Sequence, residues 1–293
     1  MYPYKIFTFA DGTGITLYDI LILIGVIGAL VVFRILADRR KMPAKLQNLI
    51  LIGGVISFIL GYLSAVLFQA IYNAIASGEF LINGNTGSTF YGGFIGGTIS
   101  MLAIYFLGAR ILYKEWNTAL KWLPTFSNIA ACCIAFAHGF GRLGCLSAGC
   151  CHGGLTEAWY GIRQWVEVSP GKYDWATVVP LQLFEAIFLF LLAGVLFLLV
   201  WKKKGFGFSW YLIGYGIWRF IIEFFRTDDR GESFLPFLTP SQTTAIVLIV
   251  IGVAILIGYV ILNKKRKNMF LAPDLREEMD SSSEDAKQTD NES

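Results

Sequence analysis

The chain has 293 residues, 55% of them hydrophobic and 15% charged, with a mean hydropathy of +0.59 and a formal net charge of +3. Such a composition excludes a soluble globular domain and a disordered chain, and so small a net charge, carried in short loops, excludes nucleic-acid binding. Backbone groups in lipid must pair internally, and no alternating ten-residue strand pattern is present, so the expected fold is all-α: an integral membrane protein of seven transmembrane helices with a small extracytoplasmic cap.

Residues 1–268 read as the membrane domain. The first apolar segment, Ile15–Leu36, is too long, and too polar before it, for a cleaved signal peptide. Gln47–Ile75 follows, and then Phe90–Leu107, which opens with Tyr91, Gly92, Gly93, Gly96 and Gly97. Small residues four apart point to close helix packing. Pro124–Cys145, Pro180–Trp201, Phe208–Phe225 and Thr243–Leu262 complete the set. Residues 110–123 mix Lys with Trp116 and Trp122 and read as an interfacial segment. The loop 147–179 is rich in Gly and carries Trp159, Tyr160, Trp165, Tyr173 and Trp175, which suits a cap resting on headgroups. Residues 269–293, with Asp274, Glu277, Glu278, Asp280, Glu284, Asp285, Asp290 and Glu292, read as a disordered acidic tail.

Charge alternates between loops. Arg39, Arg40, Lys41 and Lys45, then Arg110, Lys114 and Lys121, then Lys202, Lys203 and Lys204, then Lys264, Lys265, Arg266 and Lys267 follow the odd-numbered spans. The intervening loops hold only Lys5, Arg163, Lys172 and Arg230. Lys and Arg stay inside, so the amino terminus is expected outside and the carboxyl terminus in the cytoplasm.

A charged side chain at mid-bilayer costs about 2.5–3.5 kcal/mol on insertion scales, so an ionisable group within a span is presumed paired or functional. The sixth segment places Tyr215, Arg219, Glu223 and Arg226 at spacings of four, four and three, one narrow stripe of a helix. An internal Arg219–Glu223 pair with Arg226 reaching the surface is one reading of it, and a functional stripe is the other. In the fourth segment His138, Arg142 and Cys145 share a face, with Gly141 and Gly144 between them. Guanidinium groups on two facing helices suit a bidentate phosphate clamp; alternatively Arg142 pairs with Glu185 or Glu223 as structural glue. Gln182 and Glu185 lie one turn apart just after Pro180.

Five cysteines leave at least one thiol free. Cys145, Cys150 and Cys151, near His152 and His138, have the chemistry of soft-metal ligands, but adjacent ligands do not match a standard zinc pattern. A disulfide from Cys145 to Cys150 or Cys151 is the favoured reading on an oxidising face.

These motifs resemble the bacterial prolipoprotein diacylglyceryl transferases, seven-span enzymes of the cytoplasmic membrane, from Tyr18 to the last span. The most specific piece is Gly141-Arg142-Leu143-Gly144 with Gly149 and Gly153. Next comes Leu212-Ile213-Gly214-Tyr215-Gly216 through Arg219, Glu223 and Arg226; Tyr18, Gly92-Gly93, and Pro180 with Gln182 and Glu185 are shorter matches. The resemblance implies transfer of a diacylglyceryl group from phosphatidylglycerol to the thiol of a lipobox cysteine in an exported precursor, with release of glycerol phosphate. It implies no cofactor, and its partners are the membrane, an anionic phospholipid and the precursor. Tyr91 stands where the family usually has histidine, Cys145 where it has asparagine, and Cys150-Cys151-His152 where it has acidic and aromatic residues. The expected proton acceptor is therefore His138 or His152, with Tyr91 or Tyr215 as further catalytic candidates. Arg142, Arg219, Glu223, Arg226, Tyr18, Gln182 and Glu185 are the expected substrate-binding set. A membrane thiol–disulfide oxidoreductase, or a non-catalytic relative that binds lipid, are the rival readings.

The orientation is testable by fusion. Alkaline phosphatase should be active after Gly171 and inactive after Lys204, and a fluorescent protein should behave in the opposite way. Phosphatase activity after Lys204, or fluorescence after Gly171, would overturn the orientation.

Overall fold

The computed structural model describes residues 5–9, 14–78, 80–83, 86–169, 171–203, 205–226 and 237–265. Among them run β1 (Lys5–Thr8), β2 (Gly14–Thr16), α1 (Leu17–Arg39), α2 (Ala44–Ser77), α3 (Phe90–Tyr113), α4 (Asn117–Ser147), β3 (Ile162–Ser169), β4 (Lys172–Val178), α5 (Leu181–Trp201), α6 (Gly207–Ile222) and α7 (Pro240–Lys265). A 3-10 turn, Glu223–Phe225, continues α6. All helices but α6 are long and apolar enough to cross a membrane, and the protein is an all-α, multi-pass membrane protein. α6, at 16 residues, covers about 24 Å at about 1.5 Å per residue, short of the roughly 30 Å of hydrocarbon. The sixth expected span, Phe208–Phe225, is thus a shorter helix with a tightened end. The acidic segment 269–293 lies outside the described residues.

Local chemistry sets several helix limits. Thr16 and Asp19 form a reciprocal cap at the start of α1: the Thr16 N–H donates to Asp19 Oδ2 at 2.9 Å, and the Asp19 N–H to Thr16 Oγ1 at 3.4 Å. α2 ends at Gly78, whose φ of 79° is open to glycine at little strain. α3 ends where Lys114 turns left-handed, with φ 56°. Residues 110–123, read as an interfacial segment, form the end of α3, that turn and the start of α4.

The described residues fall into two compact units, one over 37–124 and one formed by the flanking stretches on either side of it. In the unit over 37–124, α2 and α3 approach backbone to backbone. A Cβ on Gly61 would stand 3.1 Å from the Gly93 carbonyl and 3.2 Å from the Gly97 Cα, and one on Gly96 would overlap Ser64. The small-residue spacing of the third segment is spent on this packing.

In the other unit α4 packs on α1 and α5. Gly28 receives the Phe136 ring, and Gly139 that of Phe190. Cys133 Sγ donates to the Ala29 carbonyl at 3.3 Å and Cys132 Sγ to the Ala193 carbonyl at 3.4 Å, which gives these two thiols a packing role. α6 lies against α7, where a Cβ on Gly216 would stand 2.9 Å from the Ala245 carbonyl. The expected cap contains a β-hairpin: β3 and β4 pair antiparallel with Trp165 opposite Trp175, and Val166 and Val178 turn inward. Gln164 Nε2 donates to the Leu146 carbonyl at 3.1 Å and ties the hairpin to the end of α4.

Candidate active site

Polar groups from α4, α5 and α6 converge on one carboxylate. Glu185, in the second turn of α5, is 1% exposed. Its Oε2 lies 3.0 Å from Arg142 Nε of α4. Its Oε1 accepts from the Tyr215 hydroxyl of α6 at 3.1 Å and stands 4.0 Å from His138 Nε2. The His138 and Tyr215 rings meet edge to face, with centroids 5.1 Å apart. His138 and Arg142 are one turn apart on α4, so both reach the same partner. Of the two pairings open to Arg142, the structure forms the one with Glu185.

A second ion pair lies one turn further along α6. Arg219 Nη2 is 2.8 Å from Glu223 Oε2 and donates to Ser241 Oγ of α7 at 2.6 Å. Glu223 Oε1 accepts from Thr239 Oγ1 at 3.0 Å. Arg219 Nη1 is buried with no hydrogen-bond acceptor among the described residues. Because α6 gives way to a 3-10 turn at Glu223, and Arg226 follows it with extended backbone at φ −90°, the four-residue stripe expected from spacing is corrected at its end: Tyr215 and Arg219 share the helix face, Glu223 still reaches Arg219 one turn on, and Arg226 leaves the helix.

The remaining expected residues are distributed as follows. Gln182 is buried and donates from Nε2 to the Cys150 carbonyl at 2.6 Å. Tyr18, near the start of α1, lays its ring against Gly144, where a Cβ would stand 3.0 Å from Cδ2. The His152 ring is tied through Nδ1 to the Gly153 carbonyl at 2.7 Å, which makes it a loop-fixing residue. Tyr91 is half exposed in the first turn of α3, in the unit over 37–124. Ser241 and Thr239 were not anticipated. Their signal was the polar run Thr239-Pro240-Ser241-Gln242 ahead of the last apolar segment, which begins the helix at Pro240 rather than at Thr243.

The cysteines differ from expectation. Cys145, Cys150 and Cys151 are free thiols, not a disulfide, and their three sulfurs all lie within 4.8 Å of one another. Hydrogen bonds from Cys145 and Cys150, then the charges of Arg142 and Arg226, pull the Cys151 thiol well below the usual thiol range against the opposing effect of burial. Cys150, bonded to both neighbouring thiols and partly buried, is pushed up.

Comparison with known proteins adds the following. Residues 5–258 match the family model described as prolipoprotein diacylglyceryl transferase. The chain is 34% identical over 246 residues to a Clostridium tetani protein named phosphatidylglycerol–prolipoprotein diacylglyceryl transferase, covering 80% of this chain and 90% of that one. It is 30% identical over 260 residues to a protein of the same name from Streptococcus uberis, covering 86% and 92%.

A buried pair that loses one partner leaves an uncompensated charge, worth about 3–5 kcal/mol, whereas replacing both partners with apolar groups of similar volume is close to neutral. Glu185→Leu should therefore lower thermal stability in detergent strongly, and the double variant Arg142→Met/Glu185→Leu should recover most of the loss. A double variant as unstable as the single one would show that Glu185 acts through its other partners.

Proposed function

The chain belongs to the prolipoprotein diacylglyceryl transferase family, and on that premise we propose that it transfers a diacylglyceryl group from phosphatidylglycerol to the lipobox cysteine of an exported precursor. The observation that carries this reading is a family match over nearly the whole membrane domain. The precursor thiolate attacks the glycerol carbon that bears the phosphoester. A C–S bond forms, the C–O bond to phosphate breaks, and glycerol phosphate leaves.

The site chemistry supports a division of roles. Transfer needs a group to take the thiol proton, cations to hold the phosphate as charge builds on its leaving oxygen, and a dry cavity in which those charges act strongly. His138 is the proposed proton acceptor: it sits among Glu185, Tyr215 and Arg142, and Glu185 stabilises the imidazolium that forms. Arg142 and Arg219 are the proposed phosphate ligands. The buried Nη1 of Arg219 offers a donor with no protein acceptor among the described residues. Tyr215 would exchange its bond to Glu185 for one to a phosphate oxygen or the glycerol hydroxyl. Arg226, beyond the helix end, would guide the headgroup in, while Gln182 and Tyr18 hold the surrounding loop and helix. We place the amino terminus outside and the carboxyl terminus in the cytoplasm of the bacterial inner membrane, with residues 269–293 as a cytoplasmic tail, because that arrangement puts the basic loops inside.

The test is complementation of a strain depleted of its own transferase, with mass spectrometry of a lipobox reporter peptide. Wild type should restore the diacylglyceryl adduct. His138→Ala should lower transfer by about 10²–10⁴-fold, the range for loss of a general base, and His152→Ala should lower it little. Arg142→Lys and Arg219→Lys should be almost as damaging as alanine, since a point charge does not reproduce a planar fork. An unmodified reporter with folded wild type contradicts the activity, and active lysine variants contradict the clamp.

A further inference from the structure

Transfer as described makes no use of the three thiols at the end of α4. Cys145 lies in the last turn of that helix, and Cys150 and Cys151 are adjacent in the loop that follows. Neighbouring residues on extended backbone point in opposite directions, so two consecutive cysteines reach a common point only where the chain is bent to bring them there. The bend is present: Gly149 and Cys151 both have left-handed φ, 67° and 65°, a conformation that a residue bearing a Cβ avoids by roughly 1–2 kcal/mol. The loop is also pinned. The Cys150 N–H donates to the Cys145 carbonyl at 3.1 Å, Gln182 Nε2 donates to the Cys150 carbonyl at 2.6 Å, and the Gly153 N–H donates to the Val179 carbonyl at 2.8 Å. Cys132 and Cys133, by contrast, spend their thiols on helix carbonyls.

We infer that Cys145, Cys150 and Cys151 form a tris-thiolate site for a thiophilic closed-shell cation, Cu⁺ or Zn²⁺. At a metal–sulfur distance of about 2.3 Å, three ligands of a trigonal or tetrahedral ion stand about 3.8–4.0 Å apart, so sulfurs already within 4.8 Å of one another close around an ion by a shift of under about 1 Å. Three sulfurs, with no carboxylate or imidazole in the cluster among the described residues, select a soft ion over Mg²⁺ or Ca²⁺. A disulfide would use two of the three thiols and strand the third, whereas an ion uses all of them. The site shares Gln182 and the end of α4 with the transfer centre, so the ion locks the loop beside it without entering the reaction.

The full chain is purified in detergent under reducing conditions, stripped of metal with a chelator, and titrated with Zn²⁺ or Cu⁺ against a chromogenic competitor; retained metal is then counted by mass spectrometry. Wild type and Cys132→Ser/Cys133→Ser should each hold close to one ion per chain, and Cys145→Ser, Cys150→Ser and Cys151→Ser should each weaken binding at least tenfold. Co²⁺ in wild type should give sulfur-to-cobalt charge-transfer absorption. Should a serine variant fail to fold, alkylation of wild type decides the matter: bound metal should protect these three thiols and leave the rate at other accessible groups unchanged. No stoichiometric metal in wild type, equal retention by the three variants, or no protection from alkylation would overturn the site. Transferase activity does not enter this readout, so its failure and that of the transfer reading are separable.

Discussion

One buried carboxylate organises the membrane core of the larger described unit. Glu185 would be costly to hold ionised in an apolar helix bundle unless cations and hydrogen-bond donors surround it, and α4 and α6 supply them as Arg142 and Tyr215, with His138 at the edge. Because these partners come from different helices, satisfying one charge fixes how three elements stand together. The glycines on those helices follow from the same demand: Gly139, Gly144 and Gly216 each occupy a place where a Cβ would strike a neighbouring ring or carbonyl.

The Arg219–Glu223 pair repeats the arrangement one turn further along α6 and draws in α7 and its cap through Ser241 and Thr239. Two paired arginines in low dielectric are a stable resting state and also a poised one. A phosphodiester competes with a carboxylate for guanidinium on similar terms, since both offer two anionic oxygens that accept the fork's parallel N–H donors. On the proposed clamp, binding would exchange partners within the site and would not require charges to be assembled from water, which would keep reorganisation small when the leaving group develops its charge.

Much of this was legible in the sequence, and the limits are physical. Apolar runs located every helix, since length and hydropathy are properties of a segment by itself. His138, Arg142, Glu185, Tyr215 and Arg219 stood out because ionisable residues within such runs are conspicuous. Their pairing depended on which helix faces which, and spacing along one helix does not encode that; Arg142 had two carboxylates open to it. The stripe through Arg226 failed because a helix of constant pitch was assumed where the chain tightens at Glu223. The hairpin within 147–179 had one signal, the Pro170-Gly171 turn dipeptide, because Ile162–Glu167 lacks the apolar–polar alternation that marks a half-buried strand. The convergence of the cysteines depends on left-handed backbone at Cys151, which no residue type announces.

The central claim is that Arg142 and Arg219 together receive the phosphate of an anionic phospholipid within this network. Native mass spectrometry of the protein released from detergent tests it most directly, by counting co-purified lipid. Wild type should retain phosphatidylglycerol, and folded Arg142→Gln and Arg219→Gln variants should each lose it. Retention by both variants at the level of wild type would contradict the clamp and leave the arginines as ion-pair contacts between helices.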